Sequence, residues 1–203
     1  MQNELSPPIV SSAARVGASS WLRPVGIVVA GSMLLALCAR VSLPLSFTPV
    51  PLSLQPFGVL LLGLLLSPRV AVATVAAYLV EGACGLPVFA PTFSGSAGLA
   101  HLLGPTGGYL IAYPVAAAII SVVWRRTGRG FSMALVGAAL GDLLILACGA
   151  TWFAAITHVS IVPAVSSAML AFLPGDALKI VSAAGIATAW QRTRSGTSRQ
   201  HPN

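Results

Sequence analysis

This chain has very little charge. Only 7% of its 203 residues are charged, where an ordinary soluble domain has about 25%. So little charge cannot cover a water-exposed surface. With 56% hydrophobic residues and a mean hydropathy of +0.89, most of the chain must be surrounded by lipid. Its length suits one compact unit. Carboxylates are scarcer still: Glu4, Glu81, Asp142 and Asp176 are all there are, beside a single lysine, Lys179. The three cysteines, Cys38, Cys84 and Cys148, stand far apart, each in or beside an apolar run. That excludes a CxxC metal motif and a disulfide framework, and leaves small apolar side chains between helices. Walker A, Gly-x-Ser-x-Gly and His-Glu-x-x-His patterns are also absent, which excludes the common enzyme signatures.

A net charge of +7 and a pI near 10.4 could suggest a nucleic-acid partner. Nucleic-acid binding needs a basic face on a soluble fold. Here nine of the eleven basic residues fall in the tails or in two short loops between apolar runs, so membrane topology accounts for them. No nucleic-acid partner is expected.

Six spans are predicted for this all-α integral membrane protein: about Val25–Val41, Leu52–Leu66, Val70–Gly85, Gly107–Trp124, Phe131–Phe153 and Pro174–Trp190. Several fall short of the roughly 20 residues a full crossing needs. The second, held between Pro56 and Pro68, should be shielded by its neighbours or thin the bilayer locally. With six crossings, Arg15, Arg23, Arg69, Arg125, Arg126, Arg129, Arg192, Arg194 and Arg199 all fall on one face. The positive-inside rule makes that face cytoplasmic, with both termini inside a multi-pass plasma-membrane protein. Residues 1–24 show no apolar core followed by a cleavage site and are expected to be a disordered cytoplasmic tail. Residues 25–190 form the membrane domain and 191–203 a second cytoplasmic tail.

Three outer connections follow: Leu43–Gly58, stiff with proline; Gly85–Gly108, long and almost uncharged; and Val159–Leu173. The last is apolar enough to pass for a seventh span, but a seventh crossing would put Arg192, Arg194 and Arg199 outside. Ordered apolar loops of this length usually cover something. They are expected to form the lid and walls of an outward-facing pocket.

Ionisable groups inside spans are costly and tend to be functional. Pro174 suits a helix start, which puts Asp176 in the first turn and Lys179 three residues on, upon the same face. That pair offers an acceptor beside a charged donor, as a ureido or amide ligand requires, although a structural ion pair would use the same spacing. Gln55 can donate and accept together, and spacing alone allows equally that the loop backbone satisfies it. Glu81 could line the pocket, pair with Arg40 or reach the headgroups. Asp142, in mid-helix, is expected to stay protonated and bonded to a neighbouring helix. His101 and His158, in outer connections, read as polar surface without a second metal ligand. Small residues on the first span (Ala30, Gly31, Ser32, Ala36, Ala39) and the fourth (Ala116, Ala117, Ala118) suit close packing, within the unit or against a membrane partner.

Four strings stand in order along the chain: Pro-Val-Pro-Leu-Ser-Leu-Gln (49–55), Gly-Leu-Pro-Val-Phe-Ala (85–90), Leu-Gly-Pro-Thr-Gly-Gly-Tyr (103–109) and Leu-Pro-Gly-Asp-Ala-Leu-Lys (173–179). Together they resemble the BioY family, the biotin-binding S components of energy-coupling factor (ECF) transporters, from about Val25 to Trp190. The resemblance implies a six-helix fold that opens outward and holds biotin beneath the outer loops, as transported substrate with no resident cofactor. It also implies a transmembrane coupling protein and a pair of ATPases as partners, so that the chain itself is no enzyme, and an S component that topples in the membrane to release its cargo. Asp176 and Lys179 match the polar pair of the last helix, and Gln55 the glutamine of the first outer loop. Tyr109 and the glycines of the 104–108 turn match the wall near the lid, and Phe89, Gly98 and Glu81 complete the expected binding set. Pro56 stands where the family commonly has threonine, Glu81 where an apolar or small residue is expected, and the lid 94–98 is less glycine-dense. Two other readings differ in class. One is an S component or solitary transporter for another small vitamin-like solute. The other is an intramembrane enzyme using Asp142 or Glu81, which the placement of both histidines in outer connections opposes.

Overall fold

The computed structural model describes residues 17–92 and 95–197. Expectations placed on Glu4, Arg15 and the rest of 1–16, on Ser94 of the lid, and on Arg199 lie outside the described residues. The chain is a helical bundle of α1 (Gly17–Arg40), α2 (Gln55–Leu65), α3 (Pro68–Ala83), α4 (Leu99–Leu102), α5 (Gly107–Arg126), α6 (Phe131–Thr157), α7 (Ile161–Val165) and α8 (Leu173–Thr197). Three stretches, Leu22–Arg40, Gly107–Arg126 and Phe131–Thr157, are long and apolar enough to cross a membrane. A fourth is added if Ile161–Leu170 and Leu173–Ser195, bent by 43° against each other, count as one.

The short α2 lies at the centre, packed against α1, α5, α6 and α8, and Gly58 to Leu64 are all buried. Its 11 residues reach only about 16 Å at 1.5 Å each, so it cannot face lipid at both ends. Neighbours also satisfy the carbonyls that its last turn leaves free. Ser121 Oγ donates to the Leu66 carbonyl at 2.6 Å, and Arg125 Nε to the same oxygen at 3.3 Å. Pro68 opens α3 at a position that needs no donor.

The outer connections carry more structure than their sequence suggested. The Pro-rich first connection is a β-hairpin, β1 (Ser42–Leu45) against β2 (Thr48–Ser53), with Ser42 opposite Ser53 and Leu45 opposite Thr48. The second long element therefore starts at Gln55, not Leu52, and the chain is not purely helical. Pro49 and Pro51 sit two residues apart in β2, so the missing N–H groups fall on one edge and spare the paired one. Closure at the base comes from Leu54 N–H donating to the Val41 carbonyl at 2.9 Å. The third connection is α7 running into a π-helical turn, Ser166–Leu170, whose Ala164 and Ala168 are buried.

Small residues set the helix spacing. Gly31, Ser32 and Ala39 are buried, with Gly31 against Thr74 and Leu62, whereas Ala36 is half-buried and Ala30 exposed, so only part of the small-residue face of α1 packs within the unit. Gly141 of α6 meets the Ile120 side chain, and Gly149 meets the Tyr109 ring. Cys38 is buried, Cys84 exposed and Cys148 between the two, and all three are free thiols. A methyl at Gly63 would stand 2.9 Å from Ile120 Cβ and 3.2 Å from the Ala117 carbonyl. Gly63→Val should therefore destabilise the α2–α5 contact by about 1–3 kcal/mol, read as a lower melting temperature in detergent. An unchanged melting temperature would show that this interface has slack.

Candidate functional site

Leu173 and Pro174 open α8, and Asp176 N–H donates to the Phe172 carbonyl at 2.9 Å. That first turn aims the Asp176 carboxylate inward, and Lys179, one turn later, donates to its Oδ1 at 2.7 Å. Asp176 is 2% and Lys179 8% exposed. Burying two such groups is costly, and only close mutual attraction in good geometry offsets that cost.

The pair lines a narrow cavity of about 40 Å³ under the outer connections. Apolar walls come from Val50 and Leu52 of the hairpin, Leu110 of α5, Ile145 and Leu146 of α6, and Phe172. Polar groups are few: Ser53, Gln55, His101, Thr106, Tyr109 and Tyr113.

Two hydroxyl clasps hold the outer connections over this cavity. Gln55 Nε2 donates to the Tyr78 hydroxyl, which donates in turn to the Val88 carbonyl at 3.0 Å. Ser53 Oγ donates to Gln55 Oε1 at 3.2 Å, so both ends of the amide are engaged by protein. The hairpin, α3 and the second connection are thereby tied at one residue. Tyr109, at the head of α5, donates to the Ala168 carbonyl of the π-helical turn and meets Phe172 edge-on, ring centres 6.4 Å apart.

His101 departs furthest from its sequence reading. It is buried, not polar surface, and stacks on Phe89 with ring centres 5.0 Å apart. Nδ1 lies 3.2 Å from the Ser96 carbonyl and Nε2 3.3 Å from Thr106 Oγ1. A neutral imidazole satisfies both, donating to the carbonyl and accepting from the hydroxyl. Burial holds its pKa below the ordinary histidine value, an effect the Ser96 carbonyl partly offsets.

Of the expected binding set, the structure brings together Asp176, Lys179, Gln55 and Tyr109. Phe89 stands behind the lining, between His101 and the edge of Tyr78. Gly98 serves the turn into α4 with φ of 63°, a backbone shape that favours glycine. Glu81 is half-buried on α3 outside the lining, and Arg40 donates to the Pro87 carbonyl rather than to it. Asp142 is buried in α6, but its Oδ1 has no hydrogen-bond partner among the described residues, contrary to the expected bond with a neighbouring helix. Tyr113 could have been found from sequence, being four residues from Tyr109 on one helical face. His101 and Thr106 could not, because an irregular loop has no period to read.

Residues 9–196 of the chain match the BioY family. This chain belongs to the BioY family. It is 40% identical over 146 residues to a probable biotin transporter BioY of Pyrococcus horikoshii, a stretch covering 72% of this chain and 83% of that protein. With the biotin transporter BioY of Thermotoga maritima it shares 36% identity over 154 residues, 76% and 87% of the two chains. Its fold is similar to the crystal structure of the S-component for biotin from an ECF-type ABC transporter. There the TM-score is 0.78 at 25% identity, covering 86% of this chain and 94% of that one.

In this BioY chain the neutral His101 gives the lid a pH dependence of definite sign. Its folded pKa lies below the unfolded value of about 6.5, so the folded state binds the proton less readily. The stability it lends is complete above that value and is lost as pH falls through it. The melting temperature should fall between pH 7.5 and 5, and His101→Gln should flatten that part of the profile. An identical slope in the variant would assign the loss to other groups.

Proposed function

We propose that this chain is the substrate-binding membrane subunit of an ECF-type biotin uptake transporter. The observation that carries it is the buried Asp176–Lys179 pair lining an otherwise apolar cavity, in a fold similar to a biotin S-component. Biotin presents a ureido group with two N–H donors and one carbonyl, a sulfur-containing ring and an apolar chain ending in a carboxylate. Asp176 accepts from a ureido N–H, and Lys179 donates to the carbonyl or the carboxylate. Val50, Leu52, Ile145 and Phe172 suit the ring and the chain.

Ligand pockets commonly span about 300–1,000 Å³, far above the narrow space here. Binding therefore displaces the hairpin and the third connection, which Gln55, Tyr78 and Tyr109 hold by single hydrogen bonds. In this reading α1, α2, α3, α5, α6 and α8 each cross once, with both termini cytoplasmic. Arg23, Arg69, Arg125, Arg126, Arg129, Arg192 and Arg194 support it, falling at one end of such an array. Energy for uptake comes from a transmembrane coupling protein and a pair of ATPases, to which any ATP hydrolysis belongs. Biotin is cargo, and no resident cofactor is required.

Asp176→Ala and Lys179→Ala should each weaken biotin binding about a hundredfold, roughly 3 kcal/mol, because the surviving charge stays buried and unpaired. Equilibrium binding of labelled biotin to the purified protein measures this. Unchanged affinity in both variants would remove the pair from the site. A wild-type dissociation constant weaker than micromolar would favour another small vitamin-like solute. Co-purification with the coupling protein tests the mode of transport against solitary action.

A further inference from the structure

The opposite end of the bundle carries a second polar feature that biotin binding does not use. Arg129, in the turn between α5 and α6, and Arg192, near the end of α8, line one open cleft of about 360 Å³. Gly128 and Arg129 both have positive φ, 80° and 58°, a tight reversal that fixes Arg129 at the head of α6. Thr188 and Ser195 also line the cleft, but their hydroxyls donate to the Ala184 and Gln191 carbonyls of their own helix. Donors facing the cleft therefore come from the two guanidinium groups and the Gln191 amide.

No carboxylate among the described residues balances this charge. Asp176 is paired with Lys179 at the other end of α8, Glu81 lies near the far end of α3, and Asp142 is in the middle of α6. Trp190 is half-exposed beside this level, with the Arg194 guanidinium 5.0 Å from its ring centre, and Phe131 at the cleft is 43% exposed. Half-exposed aromatic side chains among arginines mark the headgroup level of a membrane protein.

We propose that this cleft binds the phosphodiester of an anionic lipid headgroup in the inner leaflet. A guanidinium presents paired N–H donors that match two phosphate oxygens, and two such groups across one cleft suit a single phosphate between helices. A lipid is favoured over free phosphate because Phe131 stands beside the cations, and because the topology proposed above, on which this inference rests, opens the cleft at the inner headgroup level.

The test uses the full chain in detergent and in phosphatidylcholine nanodiscs with and without phosphatidylglycerol. Phosphatidylglycerol should raise the melting temperature and survive purification as a bound lipid in native mass spectra. Arg129→Gln with Arg192→Gln should weaken its retention by at least about tenfold while biotin affinity stays unchanged. Equal retention in the double variant, or no effect of phosphatidylglycerol on the wild type, would overturn the proposal. Displacement of the lipid by an equal concentration of inorganic phosphate would make this a free-anion site and overturn the lipid assignment. Loss of coupling-protein binding without any lipid effect would make it a protein-docking surface, with the same consequence.

Discussion

A single buried ion pair governs the outer half of this molecule. Lys179 and Asp176 face each other at 2.7 Å with almost no exposure, in a bundle whose other side chains offer little charge. Removing two charges from water costs several kcal/mol apiece, and mutual attraction offsets that only in good geometry. The close pairing is what lets both charges tolerate the closed environment that the outer connections impose. It also leaves a charged donor and acceptor facing an apolar space, the condition under which a small polar ring can be held tightly and selectively.

Closing that space falls to helix side chains that donate to backbone carbonyls of the outer connections. Val88 accepts from Tyr78, Ala168 from Tyr109, Pro87 from Arg40, and Gly104 from Trp152 Nε1 at 2.9 Å. Each bond joins a long helix to one of the outer connections. Gln55 has an amide committed in both directions and holds the hairpin to α3 before it can meet a ligand. It lines the cavity, and its amide partners are the Ser53 and Tyr78 side chains rather than loop backbone. Substrate recognition at Gln55 would then be coupled to the position of the hairpin.

The two ends of the bundle are built on opposite electrostatic plans. At the cavity end, one cation is matched by one anion and both are buried. At the other end, arginines stand in turns and at helix ends with no carboxylate beside them among the described residues. The first arrangement places a matched donor and acceptor beside an apolar space. The second gathers charge of one sign, the pattern that commonly sets orientation in a membrane.

The six apolar runs, their order and the Asp176–Lys179 spacing could be read directly, because helical period and scarcity of charge are local properties of the chain. The structure follows those runs as α1, α2, α3, α5, α6 and α8 to within a few residues at most ends, although α1 and α8 extend well beyond them. The four family strings likewise fall on or beside the segments that line the cavity. The β-hairpin was hidden by Pro49 and Pro51, which read as a stiff loop until their shared edge was known. His101 was hidden more deeply. Whether a loop histidine is surface or wall depends on where Phe89, Ser96 and Thr106 come to rest, and segments far apart in sequence decide that. Local chemistry determined an apolar, mostly helical membrane chain with one charge pair in the first turns of its last helix. Only the tertiary packing decided which uncharged side chains surround that pair, because their contacts come from five different segments.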